Sequence, residues 1–212
     1  MPKALIFYGG WEGHEPAAMA AIIQRELGAQ SFEVQAENSL EPLDDAVRLR
    51  EFDLIVPCWT MGELSEERTK NLADAVASGV GLGGFHGGMG DAFRGNLTYE
   101  WMTGGHFLGH PHVGDYRIRL TDRQHPITDA LPQDFIYNSE QYYMMVDPAI
   151  EVLADTLYEQ EGRRITMPVI WTHQWGRGRV FYSALGHQAK EFTDYPAVLE
   201  MTLKGLIWAA RD

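Results

Sequence analysis

The chain has 212 residues, 45% of them hydrophobic and 11% aromatic, enough to bury one large core and too short to make two domains the default. A formal net charge of -13 without a run of Lys or Arg excludes a phosphate-backbone binder, so no nucleic-acid partner is expected. No stretch approaches the roughly 18 uninterrupted apolar residues of a membrane span. Met1-Pro2-Lys3 leads into a strand pattern rather than a signal peptide, and the single Cys58 rules out an internal disulfide and suits core packing at a strand end, with a thiol nucleophile of a hydrolase as the alternative. The expectation is a cytoplasmic protein with one domain over residues 1–212 and no membrane partner.

Residues 3–8 form a short apolar run ending in Gly9-Gly10, as in a buried parallel strand. A helix follows, with Pro16 in its first turn, Met19, Ile22, Ile23 and Leu27 on one face, and Gly28 suited to the C′ position. Residues 32–36 alternate like a strand and 43–50 read as a short helix. The segment 52–57 is a third strand whose end Pro57 marks. Ser65 caps a helix with Glu66 and Glu67 in its first turn, and Gly79 closes it. The fourth apolar segment runs into Gly84-Phe85-His86-Gly87-Gly88.

That last stretch has the form of a nucleophile elbow, Gly-x-(nucleophile)-x-Gly, in which sterics require small neighbours around a residue on a strained turn. Here the usual Ser or Cys is a histidine. The alternative is a glycine-rich βα loop whose histidine merely faces solvent. The βαβαβαβ order to this point implies a parallel sheet with a site at the carboxyl ends of its strands.

The second half alternates polar with apolar residues over 115–120, 142–146, 151–157 and 168–175, which predicts antiparallel additions. Gly176-Arg177-Gly178-Arg179 reads as the turn of a hairpin. Thr193 or Asp194 then caps a last helix with Val198, Leu199, Leu203, Leu206 and Ile207 facing the core.

Residues just beyond successive strand ends converge on one crevice. They are His14, Trp59 and Thr60, His86, and His187 after Ser183-Ala184-Leu185-Gly186, so three of the eight histidines fall at predicted strand ends. In Gly104-Gly105-His106-Phe107-Leu108-Gly109-His110-Pro111-His112 the i, i+4 pair His106/His110 has metal-site spacing, but Gly109 and Pro111 argue against a helix there. An ordered loop over the crevice is expected instead. Glu140, in Ser139-Glu140-Gln141-Tyr142-Tyr143, is either solvent-facing by alternation or a placed acid, base or ligand. His125 reads as a turn residue and His173, between Trp171 and Trp175, as a packing residue.

In order, Gly9-Gly10 with His14, the Gly84–Gly88 elbow, Phe107-Leu108-Gly109-His110-Pro111, His125-Pro126-Ile127, Ser139-Glu140-Gln141-Tyr142 and Ser183-Ala184-Leu185-Gly186-His187 resemble the ThuA-like (trehalose utilization) proteins nearly end to end. The resemblance implies an α/β, flavodoxin-like three-layer sandwich of the class I glutamine amidotransferase type, with a mainly parallel central sheet and added antiparallel strands. The elbow of that superfamily normally holds a cysteine. With His86 in its place the stable thioester is lost, so glutaminase activity is not expected. Family members usually carry Asp-Glu-x-Tyr around Glu140, and Ser139 here removes one of those two carboxylates.

The resemblance further implies a small-molecule sugar partner, since the family is linked to trehalose and related disaccharides alongside dehydrogenases that make 3-keto sugars. The expected catalytic residues are His86, Glu140 and His187, and the expected substrate-binding residues are His14, Trp11, Trp59, His106 and Tyr142. Zinc on His86, His110 and His187 would polarise a carbonyl or activate water. No nucleotide cofactor is expected. A non-catalytic sugar-binding or regulatory module is the alternative, and exposed antiparallel edges suggest a homo-oligomer.

Overall fold

A computed structural model describes residues 1–121, 124–129 and 131–212, with the side chain of residue 160 left out. In chain order the elements are β1 (Lys3–Gly10), α1 (Pro16–Ala29), β2 (Glu33–Glu37), α2 (Ala46–Leu49), β3 (Leu54–Thr60), α3 (Glu66–Ala77), β4 (Gly81–Phe85) and α4 (His86–Gly90). There follow α5 (Leu97–Thr103), β5 (Gly105–Leu120), β6 (Asp134–Val146), β7 (Glu151–Gln160), β8 (Arg163–Trp175), β9 (Gly178–Ser183), α6 (Glu191–Asp194) and α7 (Pro196–Ala209).

The strands form one nine-stranded sheet in the order β2-β1-β3-β4-β9-β8-β7-β5-β6. The first five in that order run parallel, and the rest are antiparallel. Thus the chain is α/β with a mixed sheet. Parallel strands are covered on both faces, and Ala4 through Phe7 and Leu54 through Val56 are accordingly buried without alternation. Helices α1 and α7 pack on each other and on this half, while α3 packs with α2 and α5. No helix among the described residues is long and apolar enough to cross a membrane.

Several local expectations are corrected. Gly28 is not the C′ residue, because α1 continues to Ala29 and the left-handed residue after it is Ser31. Pro57 lies inside β3 rather than at its end. The β3–β4 ladder stops at Ile55/Leu82, so a residue without an N–H interrupts no pairing with β4 there. Neither Thr193 nor Asp194 caps the last helix: it starts at Pro196, after Tyr195, and Pro at the first position needs no N–H partner. Ile207 on that helix is 38% exposed rather than core-facing.

The largest correction concerns residues 104–112. Gly104 ends α5 in a left-handed conformation, and residues 105–112 are not a loop but the start of β5, a 16-residue strand whose pairing with β6 slips between Phe107 and Gly109 and again between Gly109 and His112. Gly109 and Pro111, which break a helix, are tolerated at such bulges. Helix α5 has no counterpart in the sequence reading; the Asn96 side chain caps it by accepting from the Tyr99 N–H at 3.1 Å.

Candidate active site

His86 follows β4 directly and opens α4 with φ +45°, a left-handed conformation rare for a residue with a side chain. Such strain persists where surroundings over-determine it, and here the Tyr182 hydroxyl donates to the His86 carbonyl at 3.1 Å. The flanking glycines are required by close packing. A β-carbon on Gly84 would meet the Met89 Sδ at 2.7 Å, and one on Gly87 would meet the His14 ring at 2.3 Å. The elbow therefore exists, and its imidazole is only 2% exposed rather than solvent-facing.

The ends of the neighbouring strands add to it. After β1 a turn of 3-10 helix carries His14, whose Nδ1 lies 2.9 Å from the Thr60 hydroxyl at the end of β3. Beyond β9 comes His187. The three imidazole centroids stand 4.8, 5.1 and 5.2 Å apart, so the predicted convergence of strand-end histidines is present. Trp11 packs edge-on against His14 at 4.8 Å and is 47% exposed, at the rim.

The antiparallel half supplies the rest. Glu140, in the middle of β6 with its side chain 13% exposed, points at the imidazoles. Its Oε2 is 3.6 Å from His86 Nε2, and its Oε1 is 3.6 Å from His110 Nε2 and 3.7 Å from His187 Nε2. Two residues on, the Tyr142 hydroxyl is 3.0 Å from His86 Nδ1, and the tautomer decides which group donates. Phe107 lies against Tyr142 and close to His110. The bulge at Gly109 puts His110 on the same side of β5 as Phe107, where strict alternation would not.

Burial sets the charge state of this cluster. It lowers His14 to about 4, with neighbouring His187 and His110 adding to the effect. Burial also holds His86 well below the usual histidine range, reinforced by His14, His187 and His110. Both rings are neutral at pH 7. Of the two His86 nitrogens, Nε2 is buried without a hydrogen-bond partner among the described residues. Cys58 lies beneath the elbow, 4% exposed, and burial pushes its thiol up to about 12, so it is no thiolate nucleophile.

Donor atoms of His14, His86 and Glu140 lie within 4.8 Å of one another. Two neutral imidazoles and a carboxylate make a donor set that suits zinc. Of the other expected metal residues, His110 and His187 reach the same carboxylate, Nε2 to Glu140 Oε1 at 3.6 and 3.7 Å. Second partners on Nδ1, Thr60 for His14 and Tyr142 for His86, orient the rings as is usual for metal-bound imidazoles.

Two expected binding residues stand apart. His106 faces Glu100 of α5, Nδ1 to Oε2 3.3 Å, on the opposite side of β5 from Phe107. Trp59 lies partly buried over Gly9 and Gly62, where its ring leaves no room for β-carbons. His125 turns its Nδ1 to the Ile127 N–H, as a turn residue does.

Sequence reasoning missed Glu191. This carboxylate on α6 is 4% exposed and accepts from the Ser139 hydroxyl at 2.9 Å, the His187 N–H at 2.8 Å and, more closely, the Tyr137 hydroxyl. In sequence it looks like an acidic residue at a helix start, a pattern common on surfaces. An aspartate at 139 would set a second carboxylate against Glu191, and the serine provides a donor instead. A groove of about 1010 Å³ lies between α3 and residues 93–98 and contains none of the clustered histidines.

A family model described as ThuA, trehalose utilisation, matches residues 3–209. Among solved structures the chain is similar to a ThuA-like protein from Bacteroides uniformis ATCC 8492, at 18% identity and a TM-score of 0.78, covering 98% of this chain and 91% of that one. It is also similar to one from Parabacteroides merdae ATCC 43184, at 19% identity and a TM-score of 0.76, covering 99% and 90%. A β-galactosidase from Rahnella sp. R3 matches at 14% identity and a TM-score of 0.59, over 95% of this chain but 32% of that one. At these identities the structural likenesses bear on the fold alone. A comparison with curated protein sequences finds no match.

Proposed function

The chain belongs to the ThuA, trehalose-utilisation family, and from that premise we propose that it is an enzyme of carbohydrate metabolism acting on a keto-sugar or a disaccharide or other glycoside. The observation that carries this reading is the buried His86 Nε2, unpartnered and 3.6 Å from a carboxylate that two further imidazoles approach. A polar atom buried without a partner is costly and marks a place where a ligand completes the set.

An oxidised sugar has an acidic C–H beside its carbonyl. In the proposed reaction Glu140 takes that proton while an imidazole N–H hydrogen-bonds to the carbonyl oxygen, where negative charge develops. The neutral state of His86 suits it to donate a hydrogen bond or to ligate, better than to hold a proton. His187, against Glu140 and nearer solvent, takes the proton from Glu140 and gives it back to the enolate, which restores the carboxylate. Zinc held by His14, His86 and Glu140 would supply Lewis-acid polarisation of the carbonyl or an activated water. Trp11 is proposed to stack on a sugar face at the rim.

To this reading we attach a flavodoxin-like, amidotransferase-like layering without glutaminase activity, a cytoplasmic location and a homo-oligomer. Ile136 and Met145, 47% and 57% exposed on the edge strand β6, support the last of these, and the mass in solution checks it. The test of function is turnover of 3-keto-glycosides by wild type and His86→Ala, with the metal content of protein purified without added zinc. Turnover unchanged in the variant rejects the central role of His86.

The second reading is a sugar-binding or regulatory module without catalysis. It is favoured by the histidine at the elbow, where the nucleophile usual at such a turn is absent. Thermal stabilisation by sugars with no turnover of any keto-sugar would select it.

A further inference from the structure

The mechanism leaves the buried carboxylate of Glu191 unused, and its surroundings are more ordered than a helix start requires. Three donors converge on its carboxylate, two from β6 and one from the loop four residues before it. Tyr137 and Ser139, alternate residues of β6, give their hydroxyls, and His187 gives its backbone N–H at 2.8 Å. The Tyr137 hydroxyl also accepts the Gly186 N–H at 3.0 Å, so both residues that lead into the His187 side chain are tied to one centre.

The residues of β6 that follow serve the other centre. Glu140 and Tyr142 address the imidazole cluster, while Tyr137 and Ser139 address Glu191. His187 consequently lies between two carboxylates, Glu140 Oε1 at 3.7 Å from Nε2 and Glu191 Oε1 at 4.0 Å from Nδ1. Both distances exceed a hydrogen bond, so the two carboxylates reach the ring as charges, and Glu191 reaches the backbone as a direct acceptor.

We propose that Glu191 is the positioning residue of His187, a buried anchor that fixes the 186–187 backbone to β6 so that the imidazole stands against Glu140. A loop after a strand has many conformations, and a proton carrier misplaced by 1 Å loses much of its effect. Three charge-assisted donors on a shielded carboxylate hold one of those conformations. The inference rests, for its kinetic consequence only, on the reading of this crevice as an active site.

The test is Glu191→Gln, which keeps the shape and removes the charge, with Ser139→Ala as the milder variant that removes one hydroxyl donor and no charge. Amide exchange at Gly186 and His187 is expected to rise by about 10-fold in Glu191→Gln relative to the residues of β9. The 15N imidazole signals of His187 are expected to move, while those of His125 and His173 stay. With a keto-glycoside substrate kcat falls by about 10-fold and KM changes by less than about two-fold. Ser139→Ala shifts the same signals by less. If neither variant moves the His187 amide or ring signals, the proposal is overturned. The magnetic-resonance readouts need no substrate, so absence of turnover rejects the enzyme reading and leaves this one decided separately.

Discussion

At the ends of β1, β3, β4 and β9 the chain turns and leaves one polar side chain behind: His14, Thr60, His86 and His187. Strand β6 instead delivers Glu140 and Tyr142 from the middle of a continuous ladder. In the parallel half position is set by where a strand stops, and the tight packing at the elbow fixes it. In the antiparallel half it is set by which face a residue takes, and bulges adjust it. The crevice needs both, because the imidazoles face a carboxylate that only the extension supplies.

Substituting one residue from each half gives the largest expected effects. His86→Asn, which keeps a residue tolerant of left-handed backbone, and Glu140→Gln each lower turnover of a 3-keto-glycoside by about 100-fold or more. If only one variant loses activity, the halves do not share the chemistry.

Acid comes next. His14 titrates near 4 in the fold and near 6.5 when unfolded, so the unfolded chain binds the proton first. Stability is intact above pH 6.5 and falls as the pH drops towards 4, by on the order of 3 kcal/mol for this one group. Burial of His86 acts in the same direction. Urea titrations at pH 7 and pH 4.5 are expected to show a smaller loss in His14→Gln than in wild type, and an equal loss would remove the buried-imidazole account.

Glycines separate the halves further. Gly87→Ala drives a β-carbon into the His14 ring and costs about 1–3 kcal/mol in urea denaturation. Gly109→Ala, whose β-carbon would meet only the Pro111 ring at 3.9 Å, leaves stability within about 0.5 kcal/mol. Tyr142→Phe removes one hydrogen bond to His86, worth about 1 kcal/mol, and the same titration measures it. The smallest effect is expected from His106→Ala, with turnover within about two-fold of wild type, since His106 faces Glu100 outside the cluster.

The parallel half was legible in the sequence because its signals are local. Short apolar runs, Ser65 as a cap and glycines around His86 each report on a few neighbouring residues. Helix ends were less legible, since Gly28 and Asp194 suit positions that the chain gives to others. The extension was harder to read for a different reason. Whether Gly109 and Pro111 end a strand or sit in a bulge depends on β6, more than twenty residues away. Glu140 could be placed only as one of two faces, and Glu191 not at all, because its burial comes from Tyr137 and Ser139 across the fold.

The missing β-carbon at position 87 also has a historical consequence. The volume it would need is taken by the ring of residue 14, so the two positions carry a single constraint although 73 positions separate them. Lineages that enlarge residue 87 are expected to have given up the imidazole at 14 first or together with it.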